Sequence, residues 1–572
     1  MKRFCLLACL VGILAAPVAA QNARLDDRLP ATTTFYMYWR GAASTEAARG
    51  TNPLLRMWAD PEFAPAREAM FAEISRDAKD KLTAALTQNA LLSLLENPLV
   101  FGTANRGQAT PKLAAPGPTQ KPLLAENSFL IYDATGKKAL VESLLELEAS
   151  DTTTPPKITR SAFGHTKLES VAGSKETYYR AFAGNYFLRA GRKDVLEELL
   201  LRLENSDATP ALRDVADYQQ ARRITGEQAS FEFFMRTPDL TPAGLPISKD
   251  FDAQAGMKAL GLEKLRAICG GLTFAADATR TRMAVLGDTS PGGPFDLVGE
   301  SAPSFATLAA APAGMVSYAV NRFDFLALYQ LVRKAAEAVF ATQQAGVVEG
   351  IESMAATAMG MSVAEALGLF TGQVASFSDD LGMDPFANFY AAGIRKPEEV
   401  LQLLRVLLSK EIHSEDREGE VTYLSVTTSF RDARTGAPRK RFQYIGVTPQ
   451  LLVVAPRKTT LREMVRQLAS KAENPATSGL AGEHKFAAAR ARLAADLSGL
   501  SYADLSRIQW DAQGEAIEQQ VKSTPGTANS TATRVSEWRK RLPPALLQRY
   551  LHTAYGGWWK GPDGLHFDGF ID

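Results

Sequence analysis

The sequence predicts an α+β fold built as two tandem homologous units, each a mainly antiparallel sheet packed with helices. Three observations lead there. Strand-like apolar runs and amphipathic helical stripes mix without the regular β-α-β alternation of a parallel sheet. Short landmarks recur in one order at separations of 260 to 286 residues. The composition, 46% hydrophobic and 22% charged over 572 residues, is that of an ordinary globular chain with enough length for large cores. Collagen-like, coiled-coil, polytopic membrane and wholly disordered chains are excluded by the same numbers.

The chain opens with Lys2-Arg3, an apolar run from Phe4 to Ala16, then Pro17 and Val18-Ala19-Ala20 before Gln21. That is the charged region, apolar stretch and small-residue cleavage site of a secretory signal, residues 1–20. The run is too short to span a membrane, which needs about 20 apolar residues. Without Lys2 and Arg3 the balance of 64 basic to 63 acidic residues becomes 62 to 63. A near-neutral exported chain lacks the positive surface of a dedicated nucleic-acid binder. Cleavage also removes Cys5 and Cys9, so Cys269 stands alone and no intramolecular disulfide is expected. With Ile268 and Gly270-Gly271 around it, Cys269 reads as a buried small hydrophobe.

The repeat organises the rest. Pro30-Ala31 before the strand Thr34 to Tyr38 recurs 282 residues on as Pro312-Ala313 before Val316 to Val320. Phe129 to Tyr132 leading into the helix Lys138 to Leu147 matches Phe389 to Ala392 leading into Glu398 to Leu408. Ala190-Gly191-Arg192-Lys193 matches Ala455-Pro456-Arg457-Lys458 at 265 residues, each after an apolar strand and before an amphipathic helix. Ser230-Phe231 is set against Ser501-Tyr502 at 271, and Cys269-Gly270-Gly271 against Tyr555-Gly556-Gly557 at 286. The expected units run over residues 25–300 and 305–572. Between them Gly287 to Pro294 and Ser301-Ala302-Pro303 carry strong turn chemistry. Further loops are expected at Gly107 to Pro122, Ser150 to Pro156 and Ser523 to Thr533.

Helical spacing is clearest at Val195, Leu196, Leu199, Leu200 and Leu203, and at Leu461, Met464, Val465 and Leu468. Further helices are predicted at Pro65 to Asp80, Leu82 to Leu95, Asp324 to Ala341, Val363 to Leu369, Glu483 to Leu497 and Ser536 to His552. Further strands are predicted at Ser230 to Phe234, Leu272 to Phe274, Met283 to Leu286, Val374 to Phe377, Val421 to Val426 and Phe442 to Ile445.

Linear motifs of catalysis are missing. There is no Gly-x-Ser-x-Gly elbow, Walker A loop or Gly-x-Gly-x-x-Gly cradle, and Ser290 sits in a turn-rich segment rather than at a strand-to-helix elbow. The five histidines, His165, His413, His484, His552 and His566, never fall at metal-binding spacing. Asp379, Asp380 and Asp384 form the best acidic cluster and the candidate oxygen-ligand set, although their spacing fits no calcium loop. Trp558-Trp559 lies in a terminal hairpin turning at Gly561 to Gly564, so one indole is a candidate contact for a ligand or partner. Arg192-Lys193 and Arg457-Lys458 read as a shared architectural turn, with anion binding as the rival reading. No cofactor is called for.

Leu29-Pro30-Ala31 with its strand, Pro53 to Phe63 before a helix, the paired Arg-Lys helices, and Phe486 to Leu500 leading to Tyr502-Ala503-Asp504-Leu505 together resemble an uncharacterised family of exported bacterial proteins. That family is known only as a domain of unknown function. The resemblance spans nearly the whole chain, although no second Trp-x-Asp-Pro-x-Phe is found in the second unit. It implies an exported, duplicated α+β protein and carries no catalytic residues over.

A non-catalytic binding or scaffold protein of the cell envelope, periplasmic or secreted, is the favoured reading. Its partner would be an envelope protein or an apolar or glycan ligand, since paired units place binding surfaces in their clefts. The alternatives are a periplasmic hydrolase whose carboxylates converge only in three dimensions and a lipid or lipoprotein carrier with an apolar cavity.

Overall fold

The computed structural model describes residues 24–74, 90, 93–104, 127–150, 156–173, 177–205, 210–237, 253–302, 305–340, 346–379, 388–431, 438–470, 479–508, 510 and 543–572. The expected leader, the loops at 107–122, 151–155 and 523–533, most of the predicted helix 82–95, and Asp380 and Asp384 lie outside them. Mixed helix and antiparallel strand is the architecture found. Among the described residues no helix is long and apolar enough to cross a membrane.

Two compact units divide the chain. The first holds the described residues up to 237 and Leu265–Gly287; the second holds those from 253 to Lys264 and Asp288–Asp572. Ala253 to Lys264, which the expected boundaries assign to the first unit, therefore pack in the second. The contact is close: a Cβ on Gly256 of the helix Ala253–Ala259 would lie 2.5 Å from Val339 Cγ2 of the helix Phe325–Phe340.

In the first unit the strands are β1 Thr33–Trp39, β2 Leu99–Ala104, β3 Ser128–Asp133, β4 Lys157–Phe163, β5 Thr166–Ala172, β6 Thr177–Ala183, β7 Tyr186–Ala190, β8 Phe231–Arg236, β9 Leu265–Phe274 and β10 Thr279–Gly287. They lie in the order β10-β9-β8-β1-β2-β3-β7-β6-β5-β4, every neighbour antiparallel. The second unit has β11 Ser317–Arg322, β12 Phe370–Ser378, β13 Phe389–Ile394, β14 Ile412–Glu418, β15 Val421–Arg431, β16 Pro438–Val447, β17 Leu451–Ala455, β18 Gly499–Asp504, β19 Thr553–Gly561 and β20 Gly564–Ile571. Their order is β20-β19-β18-β11-β12-β13-β17-β16-β15-β14, again antiparallel throughout. Strand for strand, the two orders coincide.

The registers coincide as well. Tyr36 faces Phe234, which faces Cys269; Tyr318 faces Tyr502, which faces Tyr555. Tyr502 thus takes the place of Phe234, not of Phe231, and the 271-residue sequence match is corrected to 268. The error came from the paired Ser-aromatic dipeptides, whose likeness masks a three-residue difference in where the strands begin.

Apolar stripes explain where the helices sit. Val195, Leu196, Leu199 and Leu200 of the helix Lys193–Glu204 are all buried against β1, β3 and β7 in the first core. Val400, Leu401 and Leu403 of the helix Pro397–Leu407 enter the second core beside Leu424, Val426 and Ile445. Two outer strands, β4 (Lys-Ile-Thr-Arg-Ser-Ala-Phe) and β14 (Ile-His-Ser-Glu-Asp-Arg-Glu), are almost wholly exposed. Their charges suit sheet edges, which must resist pairing with other chains. The predicted helix from Glu483 to Leu497 is shorter, His484–Arg490. Beyond its end the Arg490 guanidinium donates to the Ala494 and Ala495 carbonyls of the turn before β18.

Candidate functional site

A buried ionic cluster occupies the first unit. It begins with a single 3-10 turn, Asp26–Arg28, tucked beneath β1 and β8. Arg24 donates from Nε to Asp26 Oδ1 at 3.0 Å and from Nη2 to Asp26 Oδ2 at 2.9 Å. The same Nη2 reaches both oxygens of Glu232 at 2.7 Å, 208 residues away in sequence. Asp26 also accepts from the Tyr218 hydroxyl at 2.7 Å and from Arg222 Nη1 at 3.1 Å. Asp26 and Glu232 are 0% and 1% exposed, so these carboxylates depend on the cluster in place of water. The Tyr38 ring completes it, 5.3 Å from the Arg24 guanidinium.

The electrostatics follow from burial and neighbours. Burial pushes the Asp26 carboxyl up, but hydrogen bonds and charge from Arg24, with Arg222 and Tyr218, outweigh it and hold Asp26 below the ordinary aspartate range. Glu232 is raised: burial dominates, Arg24 offsets it in part, and the Asp26 charge adds to the rise. Burial and the neighbouring Asp26 push the Tyr218 hydroxyl well up, so it remains a hydrogen-bond donor.

At the matching positions of the second unit the chemistry is reversed. Asp26 lies ten residues before Tyr36, and Leu308 lies ten before Tyr318, also in a 3-10 segment, Ala306–Ala310. Glu232 and Leu500 are the second residues of β8 and β18. Tyr218 and Phe486 each lie sixteen residues before the paired Phe234 and Tyr502, on the helices Ala216–Thr225 and His484–Arg490; Arg222 and Arg490 follow four residues later. Arg24 and Tyr38 become Ala306 and Val320. The aromatic frame is kept: Tyr36, Tyr218 and Phe234 have ring centres 5.8–6.1 Å apart, and Phe486 lies 6.3 Å from Tyr318 and 5.2 Å from Tyr502.

The second unit has an open groove of about 620 Å³ at these positions. Phe305, Leu308, Tyr318, Phe486, Leu493 and Leu500 form its apolar wall, with Ala487, Ala491 and Arg490 also lining it. The Tyr318 and Thr307 hydroxyls lie 3.0 Å apart, and the Gln373 side-chain oxygen accepts from the Ala306 and Thr307 N–H groups and, at 2.6 Å, from the Thr307 hydroxyl. Arg490 is half-buried at the edge, donating to the Ala494 carbonyl at 2.7 Å. The volume falls in the range of small-molecule sites, about 300–1,000 Å³.

The residues singled out from sequence lie elsewhere. Asp379 pairs with Arg457, and among the described residues no three His, Cys, Asp or Glu side chains converge as a metal site. Trp558 donates its indole N–H to Asn321 Oδ1 at 3.0 Å, while Trp559 stacks on His566 with centres 5.5 Å apart. Both indoles are half-buried. Arg192 pairs with Asp194 at 2.7 Å, and Lys193 and Lys458 pair with Glu197 and Asp416. Cys269 is fully buried beside Ala267 and Phe234 in the first core. Sequence reasoning missed Arg24, Asp26 and Glu232. The one available signal is Glu232 itself, which shares a strand face with Phe234 in Phe-Glu-Phe-Phe and so places a charge on the apolar side.

Comparison with family models, with curated proteins and with solved structures finds no match.

Proposed function

We propose that this chain is an exported, non-catalytic binding protein of the cell envelope whose second unit carries an apolar ligand. We also read its two units as copies of one duplicated ancestor, a reading supported by their coincident strand orders and registers. The observation that carries the binding role is the contrast at matched positions. One unit fills the space beside its β1–β8 pair with its own ion pairs, and the other has an open, mainly apolar groove of about 620 Å³. Apolar groove surface is stabilised when a ligand takes it out of water. Among its lining residues the polar groups are Tyr318 and Arg490, which supply no nucleophile with an adjacent base. Retention and carriage fit this set better than bond cleavage does.

Native mass spectrometry of the full chain purified gently from its own cells tests the role. The expected spectrum has an added mass that leaves on denaturation and extracts into organic solvent. A bare polypeptide mass that also takes up no long-chain alcohol would overturn it.

A further inference from the structure

We infer that the second unit docks on an anionic phospholipid surface through a cationic β-ribbon that the first unit lacks. This goes beyond the ligand-binding role and does not depend on the groove. Register reveals the ribbon. Ala190 pairs with Tyr179 and Ala455 with Tyr444, so Tyr444 stands where Tyr179 does. Two residues back along each strand, Thr177 faces Ala172 and Phe442 faces Thr427. In the first unit that is the last pair of the hairpin, since β5 ends at Ala172 and β6 begins at Thr177. In the second unit the ladder runs on for four more pairs, Thr428 with Arg441, Ser429 with Lys440, Phe430 with Arg439 and Arg431 with Pro438. Neither neighbouring strand follows: β14 pairs no further than Val426, and β17 no further than Tyr444. The added pairs therefore form a two-stranded ribbon beyond the sheet.

Those eight residues hold four cations, Arg431, Arg439, Lys440 and Arg441, and no acid, while residues 432–437 between them add one charge of each sign. The first-unit turn at the same place, Gly173-Ser174-Lys175-Glu176, is neutral. The acids of β14 do not offset the ribbon, because Glu415, Asp416 and Glu418 are held by Arg405, Lys458 and Arg462. Lys440 is exposed and forms no ion pair among the described residues. On the same strand face Phe442 is 54% exposed, its ring 5.6 Å from that of His413.

Two features favour lipid head groups over an acidic protein or a nucleic acid. Successive strand residues point to opposite faces, so Lys440 and Arg441 place charge on both sides of the ribbon. A protein surface or the floor of a nucleic-acid groove meets one face, whereas head groups gather round both. The second feature is Phe442: an aromatic ring beside cations leaves water at the boundary of head groups and acyl chains while the cations stay with phosphate. Each such cation strengthens binding to an anionic surface by about fivefold.

Flotation of the full chain with phosphatidylcholine vesicles, with and without phosphatidylglycerol, tests the docking. The chain is expected to float with the anionic vesicles only and to be released by added salt. Arg431→Gln, Arg439→Gln and Lys440→Gln together should weaken partitioning about a hundredfold. Phe442→Ser should weaken it as well while keeping the salt dependence. A further variant replaces residues 428–441 with Gly-Ser-Lys-Glu, the first unit's own turn. It should lose vesicle binding and keep the parent's urea midpoint. Failure to float with anionic vesicles, equal flotation with neutral ones, or binding undiminished in both ribbon variants would overturn the inference. Release by inorganic phosphate at constant ionic strength would put a single phosphate site in place of a surface and overturn it too. A ribbon-dependent complex with an oligonucleotide, tighter than with the vesicles, would name the other partner and do the same.

Discussion

Arg24→Ala is expected to destabilise the first unit by about 3–5 kcal/mol, the cost of breaking a buried ion pair by removing one partner. The Arg24 side chain is 12% exposed and touches both Asp26 and Glu232, which are almost fully buried. Without it, Glu232 loses both of its 2.7 Å contacts, and Asp26 keeps only Arg222 and Tyr218. Two carboxylates would then share one dry site, and at least one must take up a proton or admit water. Rewriting the cluster to its second-unit counterparts should behave differently. The variant Arg24→Ala, Asp26→Leu, Tyr218→Phe and Glu232→Leu removes every buried charge of the cluster but Arg222, which keeps Asp27 beside it. Apolar replacement of a buried ionic cluster is often near neutral, so the fourfold variant should regain roughly 2 kcal/mol or more of the loss. Urea midpoints for both variants, with hydrogen exchange in the helix Ala216–Thr225, check the pair. A single variant within about 0.5 kcal/mol of the parent would mean the cluster behaves as a surface ion pair.

The second large effect is expected at Gly372. β12 bulges there, since its register with β13 shifts between Phe370 and Val374. Gly372 takes φ +86°, and a Cβ on it would lie 1.9 Å from the Phe323 carbonyl oxygen. Its own carbonyl accepts the Phe323 N–H at 3.0 Å, so the two backbones are locked together. Gly372→Ala must pay left-handed strain of about 1–2 kcal/mol. It must also move backbone, for about another 1–3 kcal/mol. We expect a loss near 3 kcal/mol in all. Gly360→Ala is the control: its φ is +73° but no atom lies within 4 Å of the added carbon. Its loss should stay near 1 kcal/mol, the conformational part alone. Equal midpoints for the two variants would show that the contact with Phe323 relaxes freely.

Elements with a buried face were legible in the sequence. The stripe Val195 to Leu203 and the strands around Phe129, Leu451 and Tyr318 fall where their apolar spacing puts them, because one-sided burial imposes a period. The edge strands β4 and β14 were illegible for the opposite reason: nearly every residue faces water, so no alternation survives. The helix from Glu483 was overextended because Ala487 to Leu497 keeps helical composition, while the turn after Arg490, where its guanidinium meets two carbonyls, leaves no mark in that composition. The site itself was hidden by distance. Arg24-Leu25-Asp26-Asp27-Arg28 reads as a solvated charge run until β8 brings Glu232 against it. The cavity was hidden more completely, since Ala306, Leu308 and Leu500 are ordinary residues whose meaning comes only from what stands at the matching places in the first unit.

A crystal structure of the full chain grown with dodecanoate tests that correspondence most directly. The account predicts the acyl chain along Phe305, Leu308, Phe486 and Leu500, and the first-unit cluster unchanged. An empty second-unit cavity, or dodecanoate bound only at another place on the chain, would contradict it.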